Sequence, residues 1–243
     1  MKTLALSAIL AVFATAALAD GHITVVRMGT EGAYPPYNFI NDDGEVDGFE
    51  RELGDELCAR AGLECEWVLN DWDSIIPNLT SGNYDTIIAG MSITDERDEV
   101  IDFTQNYIPP AESLFLALSE DADLDGGVIA AQINTIQAGY IAETGATLIE
   151  FATPDETIAA VRNGEADAVF ADGDYLRPIA AEDADLMVVG PAVQLGGGVG
   201  MGLRETDAEL REAFDVAITS MKEDGTLNEM ILRWFGEEAA IYE

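Results

Sequence analysis

The sequence predicts two α/β lobes, each built around a largely parallel sheet. Two segments in different halves of the chain, residues 82–89 and 164–171, follow one plan: a glycine ends a helix, two residues and an aspartate follow, and then comes a four-residue apolar strand. A strand that is apolar on both faces and is fed by a helix is typical of a parallel sheet covered on both sides. The repetition of this unit indicates two similar lobes.

The first half of the chain supplies the elements that this architecture needs. An extended segment over 23–28 leads into a loop rich in turn residues, a hairpin turn at 42–44 and a helix with Leu53 and Leu57 on one face. A second helical pattern over 72–79 precedes the first repeated strand.

In the second half, two capping boxes predict where helices begin. Thr153 and Glu156 form the first box, with Pro154 at the first helical position, and Thr206 with Glu209 forms the second. The second box should begin a long helix whose apolar face contains Leu210, Phe214, Ile218 and Met221. A short helix follows it, with an apolar face of Met230, Ile231, Trp234 and Phe235.

Two extended segments are candidates for strands that cross between the lobes. One is residues 114–117 and the other is the glycine-rich stretch 196–203. We therefore expect residues 20–116 and 200–243 to form a discontinuous lobe 1, and residues 117–199 to form lobe 2, joined by two crossing hinge strands.

Composition excludes several classes of partner. The chain of 243 residues has 47 acidic against 11 basic residues and a net charge of −36, yet its hydrophobic content of 48% is ordinary for a globular protein. No basic stripe is present, so we expect no nucleic-acid partner and no anionic membrane surface as partner.

The N-terminus predicts export. Lys2 precedes an apolar run over 4–18 that ends in the small-residue pattern at 17–19, which is typical of a signal peptide cleaved before Asp20. The alternative is an N-terminal anchor helix, but the run is shorter than the roughly 20 residues that a span requires. No other segment is apolar enough to cross a bilayer. We expect a periplasmic location.

Scarcity of reactive side chains limits the chemistry. Cys58 and Cys65 form an isolated pair, which in an exported protein predicts a disulfide. The only histidine, His22, lies close to the expected mature terminus. The chain therefore has almost no side chains suited to histidine-based catalysis or metal binding.

Two further patterns imitate cofactor motifs. Asp121, Asp123 and Asp125 resemble the opening of a calcium loop, but Gln132 stands where a bidentate glutamate is needed, which favours a plain acidic connector. The glycines over 196–202 fail the dinucleotide pattern because Leu203 replaces its last glycine. We expect no cofactor and no metal.

Ligands of open α/β sheets bind beyond the carboxyl ends of the strands. The first repeated strand is followed by Ser92 and Arg97, a hydroxyl and a guanidinium that suit a carboxylate. The second ends at Asp172, which suits an ammonium group. The alternatives are a surface arginine paired with any acid and an aspartate that caps a turn. Tyr34 and Trp72 lie near strand ends, where they either flank a side chain or belong to the core.

Ordered motifs along nearly the whole chain resemble the family 3 extracellular solute-binding proteins, which serve ABC importers of polar amino acids such as lysine/arginine/ornithine and histidine. The matching blocks are residues 34–39, 48–50, 57–58 with Cys65, 71–77, 85–89, 91–94 with Arg97, 102–104 and 200–204.

This resemblance implies a type II periplasmic-binding fold that closes on a ligand. It implies that Arg97 and Ser92 hold the ligand α-carboxylate with help from Thr135, and that Asp172 holds the α-ammonium group. The remaining implied contacts are Glu31 toward a distal amine, Gly90 and Met91 after the first strand, and Tyr34 and Trp72 beside the ligand side chain.

The chain departs from the family pattern at two loops. Ala89 and Gly90 stand where relatives often carry serines, and Asn134 precedes Thr135 in a loop that usually begins with glycine. The expected function is capture of a polar, cationic L-amino acid by a monomer that presents it to an inner-membrane ABC permease.

Two other classes are weighed against that function. An enzyme similar to cyclohexadienyl dehydratase would use Glu31 and Asp172 across the cleft as an acid/base pair. A receptor sensor domain would require a transmembrane helix.

Overall fold

The computed structural model describes residues 25–243, so the signal peptide expected over 1–19 and His22 lie outside the described residues. The described chain forms two five-stranded sheets and one three-stranded sheet. Within this range, no helix combines the length and apolar composition that a bilayer crossing requires.

The first sheet belongs to the N-terminal part of the chain and its C-terminal return. In order across the sheet, its strands are β5 (Glu64–Leu69), β1 (Val25–Thr30), β6 (Thr86–Ile87), β13 (Gly202–Leu203) and β7 (Asp102–Phe103). The first three are parallel, whereas β13 is antiparallel to both neighbours. The associated helices are α1 (Phe49–Ala61), α2 (Ile75–Thr80), α3 (Asp95–Asp98), α7 (Ala208–Glu223) and α8 (Thr226–Phe235), with a 3-10 turn at Trp72–Ser74.

The small sheet and the second large sheet complete the fold. The small one consists of β2 (Ala33–Tyr34), β3 (Asn38–Ile40) and β4 (Val46–Asp47). The second large sheet has the order β10 (Thr147–Phe151), β9 (Val128–Gln132), β11 (Ala168–Asp172), β8 (Glu112–Ala117) and β12 (Met187–Gln194), with β10, β9 and β11 parallel. Its helices are α4 (Ile136–Ala142), α5 (Pro154–Arg162) and α6 (Gly173–Glu182).

The repeated unit has the same hydrogen-bond design in both lobes. Ahead of β6, Asp85 Oδ2 accepts from the backbone N–H of Arg27 at 3.0 Å. Ahead of β11, Asp167 Oδ2 accepts from the backbone N–H of Val128 at 2.7 Å. Each aspartate also donates its own N–H to the carbonyl of the same strand residue. The side chain thus pairs a backbone group that would otherwise lack a ladder partner at the strand entrance.

The chain passes between the lobes earlier than residues 114–117. These residues form the buried interior of β8, which pairs with β11 and β12 in the second sheet. The crossing therefore lies before Glu112. In that region, isolated bridges join Val199 to Ser92 and to Ile108. An apolar segment paired on both sides gains more from the interior of a sheet than from an exposed crossing.

One predicted capping box forms and the other does not. Thr153 accepts from the Glu156 backbone while Glu156 accepts from the Thr153 backbone, which confirms the first box. The prediction for Thr206 is wrong: α7 begins one residue later than that box requires, after Asp207, and Thr206 Oγ1 donates to Asp207 Oδ1. Arg204 organises this turn, since its guanidinium pairs with Asp207 Oδ2 at 2.6 Å.

The disulfide between Cys58 and Cys65 is confirmed; it ties the end of α1 to β5. Among residues 25–243, no cluster of three or more histidine, cysteine or acidic side chains is arranged to hold a metal ion.

Candidate functional site

A cavity with about 480 Å³ of space free of protein atoms lies between the two large sheets. Both lobes line it, and its walls consist of Glu31, Tyr34, Trp72, Ala89, Gly90, Ser92, Arg97, Gln132, Thr135, Ile136, Gln137, Pro154, Thr157, Phe170, Ala171 and Asp172.

Of the nine residues expected at the site, eight line this cavity, and Met91 is the exception. Its side chain is fully buried in the first lobe with Ile87 and Ile101. Ser92, the next residue, lines the cavity. Because successive side chains of extended backbone point to opposite faces, the placement of Ser92 in the cavity turns Met91 into the core. The Met91 side chain therefore does not reach the cavity, and a contact between residue 91 and the ligand stays a prediction.

Arg97 is held from both sides of the cleft. Thr94 caps the start of α3 and accepts from the Arg97 backbone N–H. The guanidinium donates to the carbonyl of Ser92 at 2.8 Å and to the carbonyl of Asn134, in the second lobe, at 3.1 Å. It also lies 5.4 Å from the ring centroid of Trp72. Burial lowers the pKa of Arg97 to about 10, so it remains a cation at neutral pH.

Asp172 ends β11 and lies opposite, at the start of α6. It accepts hydrogen bonds from the Tyr34 hydroxyl and from Gln137 Nε2, both at 2.8 Å. Burial raises the pKa of Asp172 to about 6, and the nearby charge of Asp174 adds to that rise, whereas the hydrogen bonds and Arg97 lower it.

Glu31 is the second carboxylate of the cavity. Gln132 Nε2, from the second lobe, donates to Glu31 Oε1 at 2.7 Å and also to the Ala152 carbonyl at 3.1 Å. Burial raises the pKa of Glu31 to about 7, since the single hydrogen bond offsets only part of the lost hydration.

The aromatic walls are ordered by stacking. Tyr34 stacks on Tyr175, with ring centroids 4.6 Å apart, and on Tyr37 at 5.7 Å. Burial raises the pKa of Tyr34 well above its ordinary value, so its hydroxyl stays a donor to Asp172. Trp72 Nε1 is buried and has no hydrogen-bond partner among residues 25–243.

Thr135 lines the cavity, but its hydroxyl already serves the fold. It accepts from the Ala138 N–H as the cap of α4 and donates to the Gln132 carbonyl at 2.7 Å. Asn134 has a φ of 58°, the left-handed conformation that glycine takes most readily and asparagine tolerates. Asparagine at this position therefore lets the loop make a turn that otherwise favours glycine.

Several lining residues were not predicted from the sequence. The residues themselves pointed to the ends of the two repeated strands and to Tyr34 and Trp72, and the resemblance added Glu31 and Thr135. Gln132 ends β9, and Gln137 lies in the first turn of α4. Pro154 and Thr157 belong to the first turns of α5, whose capping box the sequence did reveal. The usable signal was the start of α5, because a helix N-terminus after a sheet strand points toward the carboxyl edge of the sheet.

Hydrogen bonds across the cleft show that the lobes are closed over the cavity. Besides the Tyr34–Asp172 and Glu31–Gln132 bonds, the Tyr37 hydroxyl donates to Asp174 at 3.3 Å.

Comparisons with known proteins agree with this geometry. The model of the bacterial extracellular solute-binding proteins, family 3, matches residues 26–237. A histidine-binding periplasmic protein of Salmonella typhimurium is 32% identical over 97% of this chain and 97% of its own. A lysine/arginine/ornithine-binding periplasmic protein of Escherichia coli is 31% identical over 86% of this chain and 87% of its own.

A solved structure is more similar still. It is a periplasmic His/Glu/Gln/Arg/opine family-binding protein from Silicibacter pomeroyi in complex with lysine, with 80% identity and a TM-score of 0.89, covering 90% of this chain and 100% of that one. The comparisons confirm the resemblance inferred from the motifs, the two-lobed fold and a binding role instead of an enzymatic one.

Proposed function

Because the chain belongs to the bacterial extracellular solute-binding proteins of family 3, we propose that it carries an L-amino acid with a cationic side chain to an inner-membrane ABC permease. Relatives named for histidine and for lysine, arginine and ornithine support this ligand class, as does the lysine complex at 80% identity. We further propose that the chain reaches the periplasm through a cleaved signal peptide and works as a monomer.

The charge layout of the cavity is the observation that carries the proposal. Among the lining residues, the ionisable groups other than Tyr34 are one guanidinium, Arg97, and two carboxylates, Glu31 and Asp172. With all three ionised, the wall has one positive and two negative charges. A lysine- or arginine-like ligand has one negative and two positive charges, so each ligand charge has one opposite partner. Uncompensated charge is costly in so enclosed a site.

The single cation among the lining residues determines how the charged groups of the ligand are assigned. We assign the ligand α-carboxylate to Arg97, beside Ser92 and the Gly90 backbone, because Arg97 is the cation of the cavity. We assign the α-ammonium group to Asp172 and the distal amine to Glu31. Tyr34 and Trp72 then flank the aliphatic part of the ligand. Thr135 contributes by capping α4, directly after the Asn134 carbonyl that accepts from Arg97.

Ligand binding and closure are coupled in this arrangement. Arg97 belongs to the first sheet's lobe and Asp172 to the second, so a zwitterion that touches both stabilises the closed form selectively. We propose the division into lobes expected from the sequence, with the first boundary moved to the crossing before Glu112.

Isothermal titration calorimetry with ligand-free protein tests the proposed function. The panel consists of L-lysine, L-arginine, L-ornithine and L-histidine against L-glutamine and L-glutamate. We expect the basic amino acids to bind most tightly with one site per chain. Tighter binding of glutamine or glutamate would overturn the cationic preference, and no binding by any of the six would overturn amino-acid carriage.

A further inference from the structure

Glu50 is a buried carboxylate that does not itself line the cavity but lies directly behind its wall. It lies in the first turn of α1 and its side chain is fully buried. It accepts three hydrogen bonds, from the Gly90 backbone N–H at 2.6 Å, from Asn38 Nδ2 at 2.7 Å and from the Tyr107 hydroxyl. Burial raises the pKa of Glu50, and these three donors oppose the rise.

No cation compensates this charge within the described residues: none of the lysines and arginines there forms an ion pair with Glu50. A buried carboxylate without a counter-ion is costly in free energy. The three donors, and the partial positive charge at the start of α1, are what hold it. The residues that supply these three donors therefore indicate the role of the Glu50 carboxylate.

Two of its hydrogen-bond chains lead to the ligand cavity. Gly90 lines the cavity wall with a φ of 62°, and its N–H is bound directly by Glu50 Oε1. Asn38, itself fully buried, uses Oδ1 to accept from the Gly32 N–H at 2.7 Å, and Gly32 follows Glu31 with a φ of 72°. One carboxylate thus anchors both first-lobe turns that present a wall of the cavity.

We propose that Glu50 is a positioning residue, which holds the turns at Gly32 and Gly90 at a set separation so that Glu31 and the Gly90 backbone face the ligand together. This inference rests on the proposed function, since it concerns the same cavity. It adds a residue that touches no ligand but determines how well the first lobe is organised to bind one.

The polarity of the network makes the proposal testable. The Gly32 N–H can only donate, so Asn38 must turn Oδ1 toward it and Nδ2 toward Glu50 Oε2. In Glu50→Gln, the amide nitrogen would face the Asn38 amide nitrogen, and two donors would meet. In Asn38→Asp, two carboxylates would meet. In the double variant E50Q/N38D, Asp at 38 accepts from both Gly32 and Gln at 50, and the net charge is that of the wild type.

The experiment measures L-lysine affinity by calorimetry at pH 8 for the wild type, E50Q, N38D and E50Q/N38D, alongside the ligand-free melting temperature. Each single variant should bind lysine about tenfold or more weakly, as expected for a mispaired buried polar group, and the double variant should recover to within about threefold of wild type. The N38D defect should shrink toward pH 6, because a shared proton lets the two carboxylates pair.

A matched control separates positioning from stability. Tyr84→Phe removes a buried hydrogen bond to the Ile75 carbonyl in the same lobe, and neither of these two residues lines the cavity. It should lower the melting temperature and leave lysine affinity unchanged. If E50Q behaves like Y84F, Glu50 is only structural and the proposal is overturned. A double variant as weak as the single variants would also overturn it.

A measurement on the wild type covers the case in which E50Q does not fold. Amide hydrogen exchange by NMR in the ligand-free protein should show Gly32 and Gly90 exchanging as slowly as core residues. Free exchange at either amide would refute the anchoring. Failure of the wild type to bind any amino acid would instead refute the proposed function and leave slow exchange at these two amides as a separate result.

Discussion

In the first lobe, the repeated strand β6 is followed by Gly90, Ser92 and Arg97, whereas in the second lobe the equivalent strand β11 runs directly into Asp172. Both strands enter their sheet through the same aspartate device and both end at the cavity. The scaffold is therefore shared and the charge beyond it is opposite. One supersecondary unit, used twice, therefore produces a dipolar site when only a few residues after each strand differ.

The aspartates at the strand entrances differ as well. Asp85 pairs with Arg27 at 2.9 Å and with Arg204 at 3.0 Å, and hydrogen bonds from both arginines hold its pKa at about 2, against the opposing effect of burial. Asp167 is exposed, and within the described chain its carboxylate accepts one hydrogen bond, from the backbone N–H of Val128. The first lobe thus adds ion pairs to an anchor that the second lobe builds from hydrogen bonds alone.

The largest effect is expected from removing the first lobe's cation. Arg97→Ala should weaken L-lysine binding by about 2–5 kcal/mol, because the ligand carboxylate would be buried without a partner. Calorimetry measures the loss. Arg162→Ala, which removes an exposed arginine paired with Asp183, is the matched control and should bind lysine normally. An R97A variant within threefold of wild type would break the assignment of the carboxylate to this lobe.

The second lobe's charge is tested by Asp172→Asn. The amide keeps the size of the side chain but removes the charge that faces the ligand ammonium group, so we expect a loss of about 1.5–3 kcal/mol in lysine affinity. Small-angle scattering at a saturating lysine concentration should also show a larger open fraction than for wild type. Asp183→Asn, an exposed neutralisation in the same lobe, serves as the control. Unchanged affinity in D172N would mean that the first lobe alone binds the ligand.

Glu31 is expected to determine selectivity more than overall affinity. Glu31→Gln should weaken lysine binding about tenfold and leave L-glutamine binding nearly unchanged, because only lysine places a second cation there. The Gln132 hydrogen bond survives this change, since the amide oxygen can still accept it. Glu45→Gln, in the exposed hairpin, is the control.

The same carboxylate predicts a pH dependence with a definite sign. Glu31 has a pKa of about 7 in the ligand-free protein, so it is largely protonated below that pH and ionised above it. Lysine affinity should therefore rise as the pH increases from 6 to 8 in the wild type. The rise should be smaller in E31Q, in which Asp172, with a pKa of about 6, is the carboxylate of the cavity that still titrates in this range. A profile that is equally steep in both proteins would remove Glu31 from the cation site.

The smallest effects are expected at Asp85 and Asp167, the aspartates at the two strand entrances. The pKa of Asp85 is depressed in the folded state, so its stabilisation is present above about pH 4 and is lost as the pH falls through about 2. Asp85→Asn should lower the free energy of unfolding by about 1–2 kcal/mol at pH 7, allowing for solvent screening, and by less at pH 2.5. Asp167→Asn should cost about 0.5–1 kcal/mol at pH 7. Urea unfolding measures both, and an equal cost at the two sites would erase the difference between the lobes.

Features that depend on neighbouring residues were predictable. The repeated unit, the box at Thr153, the Cys58–Cys65 disulfide and the residues after the two strands all follow from spacing along a few turns or strands. Alternation along extended backbone would also have turned Met91 inward once Ser92 was placed in the cavity. The second box failed because Arg204, two residues before Thr206, recruits Asp207 into an ion pair.

The sequence by itself determined which side chains stand at the strand ends, because strand and helix periods are set within a few residues. Only the tertiary structure decided which of those ends meet. Tyr34 reaches Asp172 across 138 residues, and Gln132 reaches Glu31 across 101. Each of these pairs joins the two lobes, so it forms only when the lobes have closed. The free energy of that closure is shared among many contacts, so no local pattern specifies it.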